Sequence, residues 1–111
     1  MSAKFLPLPT IADLEAHLSA RPTPALLFLH DPYCPISSMA LEEVEEVDAE
    51  IGYVDVHRQH DLSRAVARLT GVRHESPQFF VLRDGKVQWS ASHGRIRGDA
   101  IRREMGPPPG A

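Results

Sequence analysis

Hydrophobic and polar positions follow two periods along this chain, and the switches between them mark its elements. Lys4 to Leu8 is a short apolar lead-in limited by Pro7 and Pro9, which fits an edge strand. Ile11, Leu14 and Leu18 then recur at helical spacing. Thr10 stands where a cap belongs, and Asp13 where the helix dipole favours an anion. Arg21-Pro22-Thr23-Pro24 stops this helix. Ala25 to His30 is apolar until its end, the pattern of a central strand covered on both faces. Ile36, Ala40, Val44 and Val47 return to helical spacing, with Glu42, Glu43, Glu45, Glu46 and Glu50 on the other, solvated face. Ile51 to His57 alternates in part, Val54 and Val56 sharing one side, and reads as a strand. His60-Asp61 caps a third helix with Leu62, Val66 and Leu69 inward, ended by Gly71 in a left-handed conformation. Gln78 to Arg83 and Lys86 to Ala91 are strands joined by Asp84-Gly85, a hairpin turn. Asp99 to Met105 forms a last short helix.

The order β-α-β-α-β-α-β-β-α places helices on both faces of a mixed sheet of four to five strands. The two crossovers require parallel neighbours and the hairpin an antiparallel pair. At 111 residues the chain makes one domain, expected over residues 1–105, with 106–111 a disordered Pro/Gly tail. A net charge of −3 gives no general attraction to nucleic acid or anionic membrane. The longest apolar run is too short to span a bilayer, and Met1 to Pro7 lacks the apolar core of a signal peptide. A single cysteine excludes an internal disulfide and fits a reducing, cytoplasmic compartment.

That cysteine lies in Asp31-Pro32-Tyr33-Cys34-Pro35-Ile36-Ser37, between the apolar strand and the Met39 to Glu50 periodic segment. A strand, a tight turn and a helix would put Cys34 in the first helical turn, where free N–H groups and the dipole favour a thiolate. The alternative is a passive core thiol. Pro35 suits a helix start because its missing N–H would have had no partner. Ser37, one turn on, either donates to the thiolate or a backbone carbonyl, or is a small residue tolerated there. Tyr33 is a substrate contact or a half-buried packing residue. An antiparallel strand from Gln78 brings Ser76-Pro77 towards Cys34, and the returning strand brings Ser92, His93 and Gly94 to the same side. His93 then either serves the thiolate and a leaving thiol, or is a surface histidine. His74 and Glu75 contact substrate or close their loop. Six histidines without a compact ligand set predict no metal site. No glycine-rich phosphate loop precedes a helix.

The element order resembles the thioredoxin fold. Thioredoxin-like proteins carry a cis-proline before the strand that opens the hairpin, and Pro77 stands at that place. Cys34-Pro35-Ile36-Ser37 and Gly71-Val72-Arg73-His74-Glu75-Ser76-Pro77-Gln78, with Trp89 and Ser92-His93, are similar to the monothiol bacilliredoxins over roughly residues 10 to 104. That family often has threonine before the cysteine and tryptophan after Ser-His; Tyr33 and Gly94 stand here, at positions that would line the substrate surface. The resemblance implies a catalytic Cys34 supported by Pro35, Ser37, Ser76 and Pro77. Tyr33, His74, Glu75, Ser92, His93 and Gly94 would form the substrate surface. Bacillithiol is the implied co-substrate, and bacillithiolated proteins and the low-molecular-weight thiol are the implied partners.

Ser37 stands where thioredoxins have their second cysteine, so Cys34 has no resolving partner in its own chain. Phe28 replaces the carboxylate that many thioredoxins place six residues before the cysteine, which also argues against dithiol chemistry. The expected activity is removal of bacillithiol from protein mixed disulfides. The alternative is a non-catalytic sensor or adaptor, bacillithiolated on Cys34 and docking through its acidic helix. An oxyanion reductase would want an arginine beside the cysteine, and none flanks Cys34.

Overall fold

Thr10 and Asp13 start the first helix as a reciprocal pair: the Asp13 N–H donates to Thr10 Oγ1 at 3.1 Å, and the Thr10 N–H donates to Asp13 Oδ2 at 3.1 Å. The computed structural model describes residues 2–20 and 24–107. The Arg21-Pro22-Thr23 stop and the tail from Pro108 lie outside the described residues. Five strands are β1 (Lys4–Pro7), β2 (Ala25–His30), β3 (Glu50–Asp55), β4 (Gln78–Arg83) and β5 (Lys86–Ser92). The helices are α1 (Ile11–Leu18), α2 (Pro35–Glu45), α3 (His60–Thr70) and α4 (Gly98–Met105), with a 3-10 turn at His93–Arg95.

The strands form one sheet in the order β1-β3-β2-β4-β5. β3 is parallel to both β1 and β2, whereas β4 is antiparallel to β2 and β5. Alternation along each strand divides the core in two. Leu27, Leu29, Phe80 and Leu82 face one side with Leu14, Leu18, Leu62 and Val66 from α1 and α3. Leu26, Phe28, Phe79 and Val81 face the other with Ala40, Val44, Ile96 and Ile101. β2 is buried throughout, as its unbroken apolar run requires. Each large side chain buried here contributes about 1.5–3 kcal/mol. Asp84 and Gly85 both have positive φ, 53° and 78°, the geometry that matches a two-residue turn to strand twist. Gly71 closes α3 at φ 72°.

Several boundaries and faces differ from the sequence pattern. The inward stripe of α2 is Ser37, Ala40 and Val44, with Val47 buried in the bend just past the helix; Ile36 is 47% exposed. One residue of phase decides this, because 37, 40 and 44 align on a helix better than a stripe begun at 36. Glu43 leaves the solvated face: its Oε1 accepts the Gly98 N–H at 2.9 Å and fastens α4 to α2. Leu69, in the last turn of α3, is 40% exposed, while Ser63 and Ala65 share the buried face with Leu62 and Val66. The residue before α3 is Gln59 rather than His60-Asp61, and it makes no side-chain cap. Its amide instead donates to the Leu8 carbonyl and accepts from the Asp55 N–H. β3 ends at Asp55 because Asp55 Oδ1 accepts the His57 and Arg58 N–H groups and turns the chain.

Candidate active site

The Asp31–Cys34 turn sets the position of the sulfur. The Cys34 N–H donates to the Asp31 carbonyl at 3.1 Å, while Asp31 Oδ1 accepts the Tyr33 N–H at 2.9 Å. Cys34 is the residue preceding α2, in extended backbone conformation, with Pro35 as the first helical residue. It therefore caps the helix instead of lying in its first turn. A side chain at this place ordinarily accepts from the first-turn N–H groups, and no side-chain cap fills that role here. The partly exposed, unpaired thiol thus sits at the positive end of α2.

Ser37 does not serve as a surface donor beside it. Its side chain is fully buried, with Oγ 2.8 Å from His30 Nδ1 and accepting the Asp31 N–H at 2.9 Å. The hydroxyl joins the end of β2 to the first turn of α2, which fixes the turn carrying Cys34. His30 is the residue that the sequence reading passed over. Its signal was a single polar side chain ending a central strand, seven positions before a serine. The ring stacks on Phe28 at 5.5 Å. Burial pushes the His30 pKa down, partly offset by the negative charges of Asp55, Asp31 and Glu45. Phe28 is fully buried and packs on Phe79, ring centroids 6.3 Å apart.

The sheet register brings the second half of the site alongside. Leu29 pairs with Gln78, and Gln78 pairs with Ser92, so the starts of β4 and the end of β5 gather where β2 ends. The Ser76–Pro77 peptide bond is cis, and Pro77 is buried. Its carbonyl accepts the His93 N–H at 3.2 Å, which ties the 3-10 turn to this loop.

The residues expected to form one substrate surface instead divide among three grooves. His74 and Ser76 line a cleft of about 430 Å³ with Asp31, His57, His60 and Arg64. Glu75 and Ser92 line a second, of about 250 Å³, with Arg73 and Arg95. His93 and Gly94 line a third, of about 180 Å³, with Ile36, Met39 and Arg97. His74 and Glu75 lie in the loop that leads into the bend at Ser76-Pro77, outside any strand, so neighbours there need not share a face. Tyr33 is 75% exposed and meets His57 edge-on at 4.5 Å, so it is not a packing residue. With Met39 at 67% and Ile36 it makes an exposed apolar rim around the start of α2. Among the described residues no three His, Cys, Asp or Glu side chains converge as metal ligands, and no helix is long and apolar enough to cross a membrane.

Comparisons with known proteins agree with this architecture. A provisionally assigned oxidoreductase with a thioredoxin fold superposes at TM-score 0.85 with 27% identity, over 92% of this chain and 94% of the other. A mutant thioredoxin from Halobacterium salinarum NRC-1 matches at TM-score 0.68 and 22% identity, over 92% and 88% of the two chains. The Malassezia sympodialis thioredoxin matches at 0.63 and 12%, over 89% and 85%. These two more distant likenesses establish the fold alone. The family model for monothiol bacilliredoxin BrxC matches residues 6–101. A thioredoxin fold, one cysteine at the head of α2 and that match over nearly the whole domain place this thiol-redox protein in the monothiol bacilliredoxin BrxC family.

Proposed function

We propose that this protein removes bacillithiol from protein mixed disulfides through Cys34. The observation that carries the reading is a partly exposed, unpaired thiol at the head of α2, with a buried serine where a resolving cysteine would have to be. The Cys34 thiolate attacks the bacillithiol sulfur of a client mixed disulfide. The bond between client and bacillithiol breaks, a Cys34–bacillithiol bond forms, and the client leaves as a thiolate that takes a proton from solvent. One disulfide is exchanged for another, so no external oxidant or reductant enters this step. A second thiol then attacks the Cys34 adduct and restores the enzyme.

Each neighbouring residue has a part in this scheme. The N–H groups at the start of α2 stabilise the attacking and departing sulfur anions. Ser37, held by His30 and Asp31, keeps the turn in place rather than touching the sulfur. Pro77 and Ser76 bound the approach to Cys34. Tyr33, Ile36 and Met39 offer the client an apolar landing surface, with His93 and Gly94 at its far side. Glu75 and Ser92, in their separate groove, contact only the outer part of a bound client.

The test is intact-protein mass spectrometry after exposure to oxidised bacillithiol, with glutathione disulfide in parallel. The expected result is one bacillithiol adduct on Cys34, formed faster than the glutathione adduct and absent in Cys34→Ser. Equal rates with both disulfides would remove bacillithiol from the assignment.

A further inference from the structure

The cleft of about 430 Å³ beside the Cys34 turn has a composition that thiol exchange alone does not require. One face of α3 supplies His60, Ser63, Arg64 and Ala67, positions that stack at helical spacing. The turn after β3 supplies His57, and the loop before Pro77 supplies His74 and Ser76. Its volume is within the range of small-molecule sites. Arg64 is a permanent cation, and each of the three histidines carries a ring N–H that can donate a hydrogen bond. Asp31 is the one acidic side chain on the wall, and its Oδ1 is already engaged, 3.2 Å from His57 Nε2.

Two hydroxyls point to an occupant. Ser63 is only 6% exposed and Ser76 is half-buried, and the Oγ of each is buried without a hydrogen-bond partner. They are the two such side-chain atoms among the described residues, and both line this one cleft. A buried hydroxyl left unbonded costs about 1–3 kcal/mol, so two in one place call for an acceptor brought from outside. Cationic and hydroxyl donors without a convergent ligand set favour an anion over a metal ion.

The cleft adjoins the turn that carries Cys34. Asp31 lines it and accepts the Cys34 N–H, and a turn closed in this way holds its end residues within about 7 Å. We propose that the cleft seats a carboxylate of the low-molecular-weight thiol while that thiol's sulfur exchanges at Cys34. The proposal rests on the small-thiol exchange assigned above and adds how the small thiol is chosen. Arg64 and the histidines bind the carboxylate, and Ser63 and Ser76 complete its hydrogen bonds. An uncharged thiol would gain nothing from the cleft.

The test compares bacillithiol disulfide, which carries carboxylates, with 2-hydroxyethyl disulfide, which is uncharged, on wild type, Arg64→Gln, His60→Gln and Ser63→Ala. The rate of adduct formation on Cys34 with bacillithiol disulfide should fall about tenfold in Arg64→Gln, the scale of one charge-assisted hydrogen bond, while the uncharged disulfide reacts as before. Ser63→Ala should slow the bacillithiol reaction yet leave stability unchanged or raised, since it deletes an unpaired group. Equal rates in the variants, or equal losses with both disulfides, would overturn the proposal. A binding arm separates this failure from that of the exchange reading. In Cys34→Ser, titration with reduced bacillithiol should shift the ring signals of His57, His60 and His74 while 2-mercaptoethanol does not. Absence of those shifts overturns the cleft assignment whatever Cys34 does; their presence in a chain whose Cys34 fails to react with either disulfide refutes only the exchange.

Discussion

Ser37 shows how a single buried hydroxyl can hold a reactive turn. It accepts the Asp31 N–H and bonds His30, so Ser37→Ala takes the partner from a buried ring nitrogen and a part-buried N–H. The expected loss of stability is about 1–3 kcal/mol in urea denaturation, with a matching drop in the rate of Cys34 adduct formation. Unchanged stability would mean that the hydroxyl is not the fastening. His30 adds a pH dependence of known sign. Its folded pKa is depressed below the ordinary 6.5, so below that value the unfolded chain binds a proton that the folded ring resists. Stability is therefore full above about pH 6.5 and declines as the pH falls towards the folded value. Denaturation curves between about pH 5 and 7.5 should show a shallower slope for His30→Phe than for wild type, and equal slopes would contradict this account. Neither residue's role was legible beforehand. Periodicity identified the strand and the helix, but it does not say that the side chain ending one will bond the side chain opening the other.

At the scale of elements, the sequence pattern carried nearly all of the architecture. The unbroken apolar run of β2, the Thr10 cap, the Gly71 stop and the Asp84-Gly85 turn each have one local physical solution, and each takes it. Phase and depth were harder to read. The α2 stripe begins at Ser37 because a serine with buried partners can occupy an inward position that hydropathy assigns to Ile36. Likewise, His74 and Glu75 were expected to contact the same substrate, yet the loop before Pro77 turns them into different grooves. Close packing between elements was also invisible in the sequence. Gly52 in β3 faces His17 of α1, whose Nε2 donates to the Leu26 carbonyl at 2.7 Å. A Cβ at Gly52 would lie 2.6 Å from that nitrogen, so the ring must move and give up its bond. Gly52→Ala should destabilise the domain by about 1–3 kcal/mol while leaving the sulfur chemistry intact, as read by thermal unfolding and adduct formation. A neutral substitution would show that α1 shifts freely over the sheet.

For the whole molecule, the sheet order explains why one end carries the chemistry. β2 ends at the turn that carries Cys34, β4 begins just after Pro77, and β5 ends just before His93, so three strand termini and the head of α2 meet. Residues far apart in the chain reach this end through topology, which is why the loop before Pro77 was identifiable from strand directions alone. The most direct test of the account is turnover of a bacillithiolated client protein, with a second thiol supplied to clear the Cys34 adduct. Many client thiols released per molecule of wild type, and none by Cys34→Ser, is the predicted result. Release that stops at one client thiol per molecule, or that persists in Cys34→Ser, would contradict it.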